Sequence, residues 1–480
     1  MIPLKMRFDF VTFRRLFSAR IAEKTCLFLA FLIPLIVRSV PELLSPVPIG
    51  FDTAIYLAQA KQLSSSPSIL PFFARILGVL YSLGVDLMVL MKVLPVLVFA
   101  LTVFFSCLYA RRRLGWSLGR ILILLVVMSF SAAMLRMSWD LHRQSMATLF
   151  LLMYLFIDPW ENLTGWKALV SVILVALIGL LHELVLVTVT AINVYLAAMA
   201  YRRKVFRNAA FFLALTLMPM ICYEIGVYVS YSRLASPFGV FENLSAKWVW
   251  GGYSGLVSHA IGILVATFWY VLPLAPLGFF HDRYLTPWLV VMLAGYLSEI
   301  VVPFAAVRLA DRWMLYMAIP LMFYAADGIS RLAGSKRLRI AVVAVALVIV
   351  CMNGFSMLGV VQPFRLPSSL YIGFIPSTMV FSTAKPEHVV MVMRFSEIIN
   401  HIADENSCVV THDPWFRYWA AYLTDLKVYS FSGTNPKPAI LNAMKRGCRT
   451  VFVIWFKGQV EDGEILAEGD QLALYRILSV

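Results

Sequence analysis

Charge is what this sequence has least of. Only 14% of its 480 residues are Asp, Glu, Lys or Arg and 61% are hydrophobic, whereas soluble domains carry roughly a quarter charged and half apolar. The shortage excludes an ordinary soluble domain, and the chain reads as a membrane protein. Its formal net charge of +15 does not indicate nucleic acid, because the cations fall in short clusters between apolar runs, as in cytoplasmic loops of a bilayer protein. Cysteine is also scarce, at six residues. Cys26, Cys107, Cys222 and Cys351 stand alone in apolar runs as small core residues and imply no metal centre. Cys408 and Cys448 each open a predicted strand near the C-terminus, and a disulfide between them is open if that region is exported. A Gly-rich phosphate loop and an internal repeat are both missing, which leaves no support for a nucleotide site or for a transporter of symmetric halves. No small-residue cleavage site follows the basic, amphipathic residues 1–20, so they read as a cytoplasmic interfacial segment ahead of a retained span.

What is there is a series of apolar runs long enough to cross a bilayer. They predict about eleven spans, near 21–40, 85–109, 118–136, 142–157, 166–181, 183–200, 208–230, 258–279, 286–303, 312–329 and 339–359. The expected fold class is mainly α, a polytopic membrane bundle over 21–359. The most basic loops hold "RRR" at 111–113, "YRRKVFR" at 201–207, "HDRY" at 281–284 and "RLAGSKRLR" at 331–339. Placing them inside puts the N-terminus in the cytoplasm. The first loop, 41–84, then faces outward with the turn at His182 and everything beyond about Val360. From Lys385 onward, helices alternate with short strands, which predicts a small extracytoplasmic parallel α/β domain over 385–480. Residues 360–384, rich in Pro and Ser, read as its linker. Asn243 heads an outward glycosylation sequon, whereas the sequon at Asn162 faces the cytoplasm.

The polar residues of the outward side suggest where chemistry occurs. In "PVPIGFDTAIYLAQAKQL" (46–63), Asp52 heads a short predicted helix in a loop too long for a mere connection. It suits a helix cap, and equally a general base, which needs a fixed position. Tyr56 lies one turn on. Asp140, His142 and Arg143 open the fourth span, His182 and Glu183 mark an outward turn, and Arg308, Asp311 and Arg312 lie in "VRLADRW". Each has an unremarkable structural explanation, as a cap or a local ion pair, but together they would ring one outer cavity. Lys92 and Glu224 are conspicuous charges inside spans. Lys92 suits helix pairing or an anion ligand in reach of the cavity.

In order and sidedness, "GFDTAIYLAQA", "WDLHRQSMATLFLL", "LLHELVLV" and "ADRWMLYMAIPLMFYAADGI", followed by an exported α/β domain, resemble the GT-C class of integral-membrane glycosyltransferases. Within it they resemble the protein mannosyltransferase and aminoarabinose transferase types. The resemblance spans nearly the whole chain and implies transfer of a sugar from a polyprenyl (dolichyl-type) phosphate to a hydroxyl on a glycan, lipid or protein. It makes Asp52 the catalytic base. Many mannosyltransferase relatives carry an Asp-Glu pair there, where this chain has Asp52 and Thr53. For the donor phosphate, Arg312, Arg308, Lys92 and His182 are the expected ligands, with no cofactor and no resident metal. Three rival readings stay open: a flippase for lipid-linked sugars, a metal-dependent oligosaccharyltransferase-like enzyme using Asp52 with Asp140, and an inactive scaffold.

Overall fold

The computed structural model describes residues 10–65, 71–160, 163–231, 241–242, 252–307, 309–332, 336–358, 384–460 and 463–478. Arg308, the asparagines of both sequons, residues 1–9 and nearly all of the expected linker lie outside them.

The chain enters through α1 (Phe10–Leu44). The expected outer loop is then largely helical, folding into α2 (Phe51–Ser65) and α3 (Phe72–Ser82). Phe73, Ala74, Leu77 and Gly78 bury one face of α3, the helical periodicity by which it packs. Asp86 caps α4 (Leu87–Arg112) by accepting from the N–H groups of Met88 and Val89. Next come α5 (Leu118–Phe130) and α6 (Ala132–Asp140), bent by 53° at Ser131. Ser131 has left the helix, and its hydroxyl bonds Tyr270 at 2.9 Å. The gap expected between the spans 118–136 and 142–157 is therefore helical as far as Asp140, and the chain breaks only at Leu141.

Three helices follow: α7 (His142–Ile157), α8 (Gly165–Leu181) and α9 (Glu183–Arg202). Beyond them, α10 (Phe206–Tyr231) presses against α8 so closely that a Cβ on Gly179 would meet the Pro219 carbonyl at 2.3 Å. A short pair, β1 (Phe241–Glu242) with β2 (Ala306–Val307), brackets α11 (Tyr253–Phe268) and α12 (Leu285–Val301). The bundle closes with α13 (Ala310–Tyr316), α14 (Ala318–Arg331) and α15 (Lys336–Met357).

Among the described residues five helices are long and apolar enough to cross a membrane, or six with the bent α5–α6 pair. Expected spans at 142–157, 166–181, 258–279 and 286–303 fall on helices of 16 or 17 residues, about 25 Å long against a hydrocarbon core of about 30 Å. At the end of α7 remote from His142, buried Asp158 ties the bundle together by accepting from the Tyr284 hydroxyl and from Arg283 at 2.8 Å.

The C-terminal domain comprises α16 (Pro386–Ile402), β3 (Ser407–His412), α17 (Arg417–Leu423), β4 (Lys427–Phe431), α18 (Lys437–Lys445), β5 (Thr450–Phe456), β6 (Glu464–Glu468) and β7 (Leu472–Leu478). The sheet order is β4-β3-β5-β7-β6. Its first three strands are parallel, as expected, but β7 runs antiparallel to both of its neighbours, β5 and β6. The correction is geometric: only residues 469–471 join β6 to β7, a hairpin length that permits an antiparallel pair and no parallel crossover. Cys408 and Cys448 are disulfide-bonded, joining the start of β3 to the approach of β5.

Candidate active site

Asp52 lies in the first turn of α2. It is not the cap, because the helix begins one residue earlier, at Phe51. The amide of Thr53 bonds the Gly50 carbonyl at 3.3 Å, and the helix dipole favours an anion at Asp52. A buried polar network fixes the approach to this turn. Arg38, fully buried, pairs with Glu42 at 3.0 Å and donates to the Ser138 hydroxyl at 3.1 Å. The other Glu42 oxygen accepts the Ile49 amide at 3.3 Å. Gly50 then turns with φ +105°, where a Cβ would stand 2.0 Å from the Trp139 carbonyl. Only glycine allows the entrance to α2 to lie on the end of α6 in this way.

That approach brings α2 onto the start of α7. The Thr53 hydroxyl donates to the Ile49 carbonyl at 2.7 Å and stands 2.8 Å from His142 Nε2. Thr53 has one hydroxyl proton and Ile49 takes it, so His142 Nε2 is the donor and Nδ1 the acceptor. Nδ1 is buried with no hydrogen-bond partner among the described residues. Tyr56 packs edge-on against Phe73 at 5.0 Å and lies 6.0 Å from the His142 ring. The expected grouping of Tyr56 and His142 beside the Asp52 turn is therefore present.

Arg143 leads to the second half of the site. Its Nε donates to the Leu181 carbonyl at 2.9 Å and its guanidinium stands 3.8 Å from Glu183. His182 occupies the break between α8 and α9 and caps α9, Nδ1 accepting from the Leu184 amide at 3.2 Å. Burial pulls its imidazole down from 6.5 to about 4, with smaller contributions from Glu183, which opposes the shift, and from Arg143 and Arg312. The ring stays neutral, as its acceptor role demands.

Arg312, in the first turn of α13, bears electrostatically on both His182 and Glu183. Its side chain has no hydrogen-bond or ion-pair partner among the described residues. Beside it, burial raises the Asp311 carboxyl, and Arg312 and Arg136 counter the rise. Arg143 and Glu183 also line a cavity of about 170 Å³ together with Phe72, Leu180 and Tyr223.

Lys92 has a different position from that expected of a phosphate ligand. Its ammonium donates to the carbonyls of Ser45 at 2.7 Å and Glu42 at 3.3 Å, sealing the end of α1. Asp140 ends α6, and its side chain lies outside what is described. Among the described residues no three His, Cys, Asp or Glu stand together as a metal group. The sequence reading passed over Arg38, Glu42 and Arg136. The i,i+4 spacing of an Arg and a Glu inside one apolar run was the available signal for the first two.

No protein-family model matches the chain, and no curated protein matches it by sequence. Solved structures do match by shape. ArnT from Cupriavidus metallidurans bound to undecaprenyl phosphate aligns over 94% of this chain and 97% of its own, at 10% identity and a TM-score of 0.56. Its apo state gives 0.55 at 11% identity, over 95% and 98% of the two chains. The arabinofuranosyltransferase AftD from Mycobacteria gives 0.52 at 13% identity, over 95% of this chain but 40% of that larger one.

Proposed function

On a fold shared with GT-C membrane glycosyltransferases, we propose that the chain transfers a hexosyl or pentosyl group from a polyprenyl phosphate to an acceptor hydroxyl on the outer side of the membrane. The observation that carries this reading is the meeting of two groups at the start of α7: the Asp52 turn, through Thr53 and His142, and the Arg143–His182–Glu183–Arg312 cluster.

The roles follow from the chemistry of a single displacement. The Asp52 carboxylate takes the acceptor proton as the acceptor oxygen bonds the anomeric carbon. The bond from that carbon to the phosphate oxygen breaks, and the lipid phosphate departs with the electron pair. Arg312 stabilises the growing negative charge by charge-assisted hydrogen bonds, with neutral His182 as a second donor. On this account the step needs no metal ion. Lys92 holds the wall, with two of its three donors on the carbonyls of Glu42 and Ser45, and Arg143 is anchored by its Nε on the Leu181 carbonyl.

The about eleven spans, the cytoplasmic N-terminus and the outer C-terminal domain belong to the same proposal. The Cys408–Cys448 disulfide supports it, because such bonds persist in oxidising compartments. So does the undecaprenyl phosphate held by the similarly folded ArnT. The test is Asp52→Asn in proteoliposomes supplied with a radiolabelled polyprenyl-phosphate sugar. Transfer is expected to fall by at least about 100-fold while the lipid still binds. Transfer at the wild-type rate would refute the base, and lipid flipping without transfer in the wild type would favour a transporter.

A further inference from the structure

Asp52 and Lys61 stand on one helix, about 14 Å apart along its axis at 1.5 Å per residue, and different parts of the molecule anchor the two ends. At the start of α2, Gly50 rests on the Trp139 carbonyl and Thr53 on His142. At the other end, the Lys61 ammonium donates to the carbonyls of Tyr422 at 2.8 Å and Thr424 at 3.0 Å and pairs with Asp425 at 2.8 Å. Three oxygens from one short stretch of the C-terminal domain thus surround an ammonium that has three protons to give. Tyr422 and Thr424 close α17, where the last carbonyls have no partner within the helix. The Leu423 carbonyl between them accepts from Asn400 of α16 at 2.9 Å. The end of α17 is therefore divided between its own domain and α2.

Between its anchors α2 has little that fixes it lengthwise. It packs among α3, α4, α6 and α17, but three of its buried positions are Ala54, Ala58 and Ala60, whose methyl groups offer few contacts to lock against. The contact with the domain is also interrupted, by a cleft of about 780 Å³ between α2, α17 and β4. Contacts between two domains of one chain yield more readily than the domains themselves. The axial position of α2 is then set at its ends, and the far end belongs to the C-terminal domain.

A helix moves as a unit, because every turn is bonded to the next, so a shift at Lys61 is delivered to Asp52. A misplacement of about 1 Å, caused far from the chemistry, costs about 100-fold in rate. Arg312 and His182 stand on other helices, so donor binding is not expected to follow. We infer that Lys61 is a positioning residue: through it the C-terminal domain holds α2 where Asp52 meets the acceptor hydroxyl. The inference rests on the proposed function for the role of Asp52, whereas the hold on α2 is measurable without turnover.

The test combines steady-state transfer with hydrogen exchange read by mass spectrometry, on the full chain in nanodiscs, for the wild type, Lys61→Met and Lys61→Arg. Lys61→Met is expected to lower kcat at least about tenfold, with KM for the polyprenyl-phosphate sugar within about twofold. It should also speed exchange of the amides of residues 54–58 at least about tenfold. Lys61→Arg, whose guanidinium can donate to both carbonyls, should restore most of both. Should Lys61→Met fail to fold, Lys61→Gln takes its place, with the same directions expected. Faster exchange confined to the C-terminal domain, with kcat unchanged, would overturn the proposal and leave Lys61 a domain tether. A raised KM at unchanged kcat would also overturn it, by moving the effect to substrate binding. If the wild type transfers no sugar, the proposed function fails, and exchange in the first turns of α2 still decides whether the domain holds the helix.

Discussion

Arg38 shows how much of the site depends on side chains that never touch a substrate. Its guanidinium is fully buried, and Glu42 supplies both the matching charge and the acceptor for the Ile49 amide ahead of Gly50. Removing one partner of a buried pair costs about 3–5 kcal/mol, because the remaining charge is stranded. Glu42→Gln is therefore expected to lower the melting temperature in detergent and depress transfer together, whereas Asp52→Asn should depress transfer alone; an unchanged melting temperature would remove Glu42 from this role. His182 makes a second prediction. Its folded pKa lies below its unfolded value, so its contribution to stability is complete above about pH 6.5 and declines as pH falls toward about 4. Melting curves from pH 7 to 4.5 should fall more steeply for the wild type than for His182→Asn, which caps α9 without titrating; parallel curves would contradict this. At this scale the sequence was partly legible. Asp52, His142, Arg143, His182 and Arg312 could be singled out by charge and by position between apolar runs, but the tautomer of His142 and the engagement of Lys92 with the end of α1 depend on distances that no spacing encodes.

Among the elements, α2 joins the Asp52 turn to the C-terminal domain. Lys61 closes the end of α17 by binding its last carbonyls, where a cation also meets the negative end of the helix dipole. Hydrogen bonds to a charged group are worth about 1.5–3 kcal/mol. Lys61→Met should loosen the domain by about that amount, seen as faster proteolysis after residue 384 with the disulfide intact; cleavage at the wild-type rate would mean that the clamp does not hold the domain. The helix was expected behind Asp52, and β4, β5 and β7 coincide with the short apolar runs "KVYSF", "TVFVIWF" and "LALYRIL". In contrast, β6 was not legible, because "EILAE" is a mostly exposed edge strand with almost no apolar alternation. At the bend between α5 and α6 the Ser131 hydroxyl caps α6 on the Met134 amide, a local signal, and also meets Tyr270, a partner far along the chain that no local pattern reveals.

For the whole molecule, composition alone identified a membrane bundle, because 61% hydrophobic residues cannot be packed inside a soluble core of this length. The number of crossings was less legible. Helices of 16 or 17 residues fall at the margin of membrane thickness, and hydropathy does not separate a tilted short span from a buried helix. The docking of α2 on α17 puts the C-terminal domain at the end of the bundle where α7 begins with His142. The proposed function requires one chamber that Asp52 on α2 and Arg312 on α13 both face. The most direct test is a cryo-EM structure of the full chain with polyprenyl phosphate bound. The account predicts a phosphate within hydrogen-bonding distance of Arg312, with the Asp52 carboxylate facing the same chamber. A phosphate held at the Asp158 end of the bundle, or an Asp52 side chain directed away from it, would contradict the account.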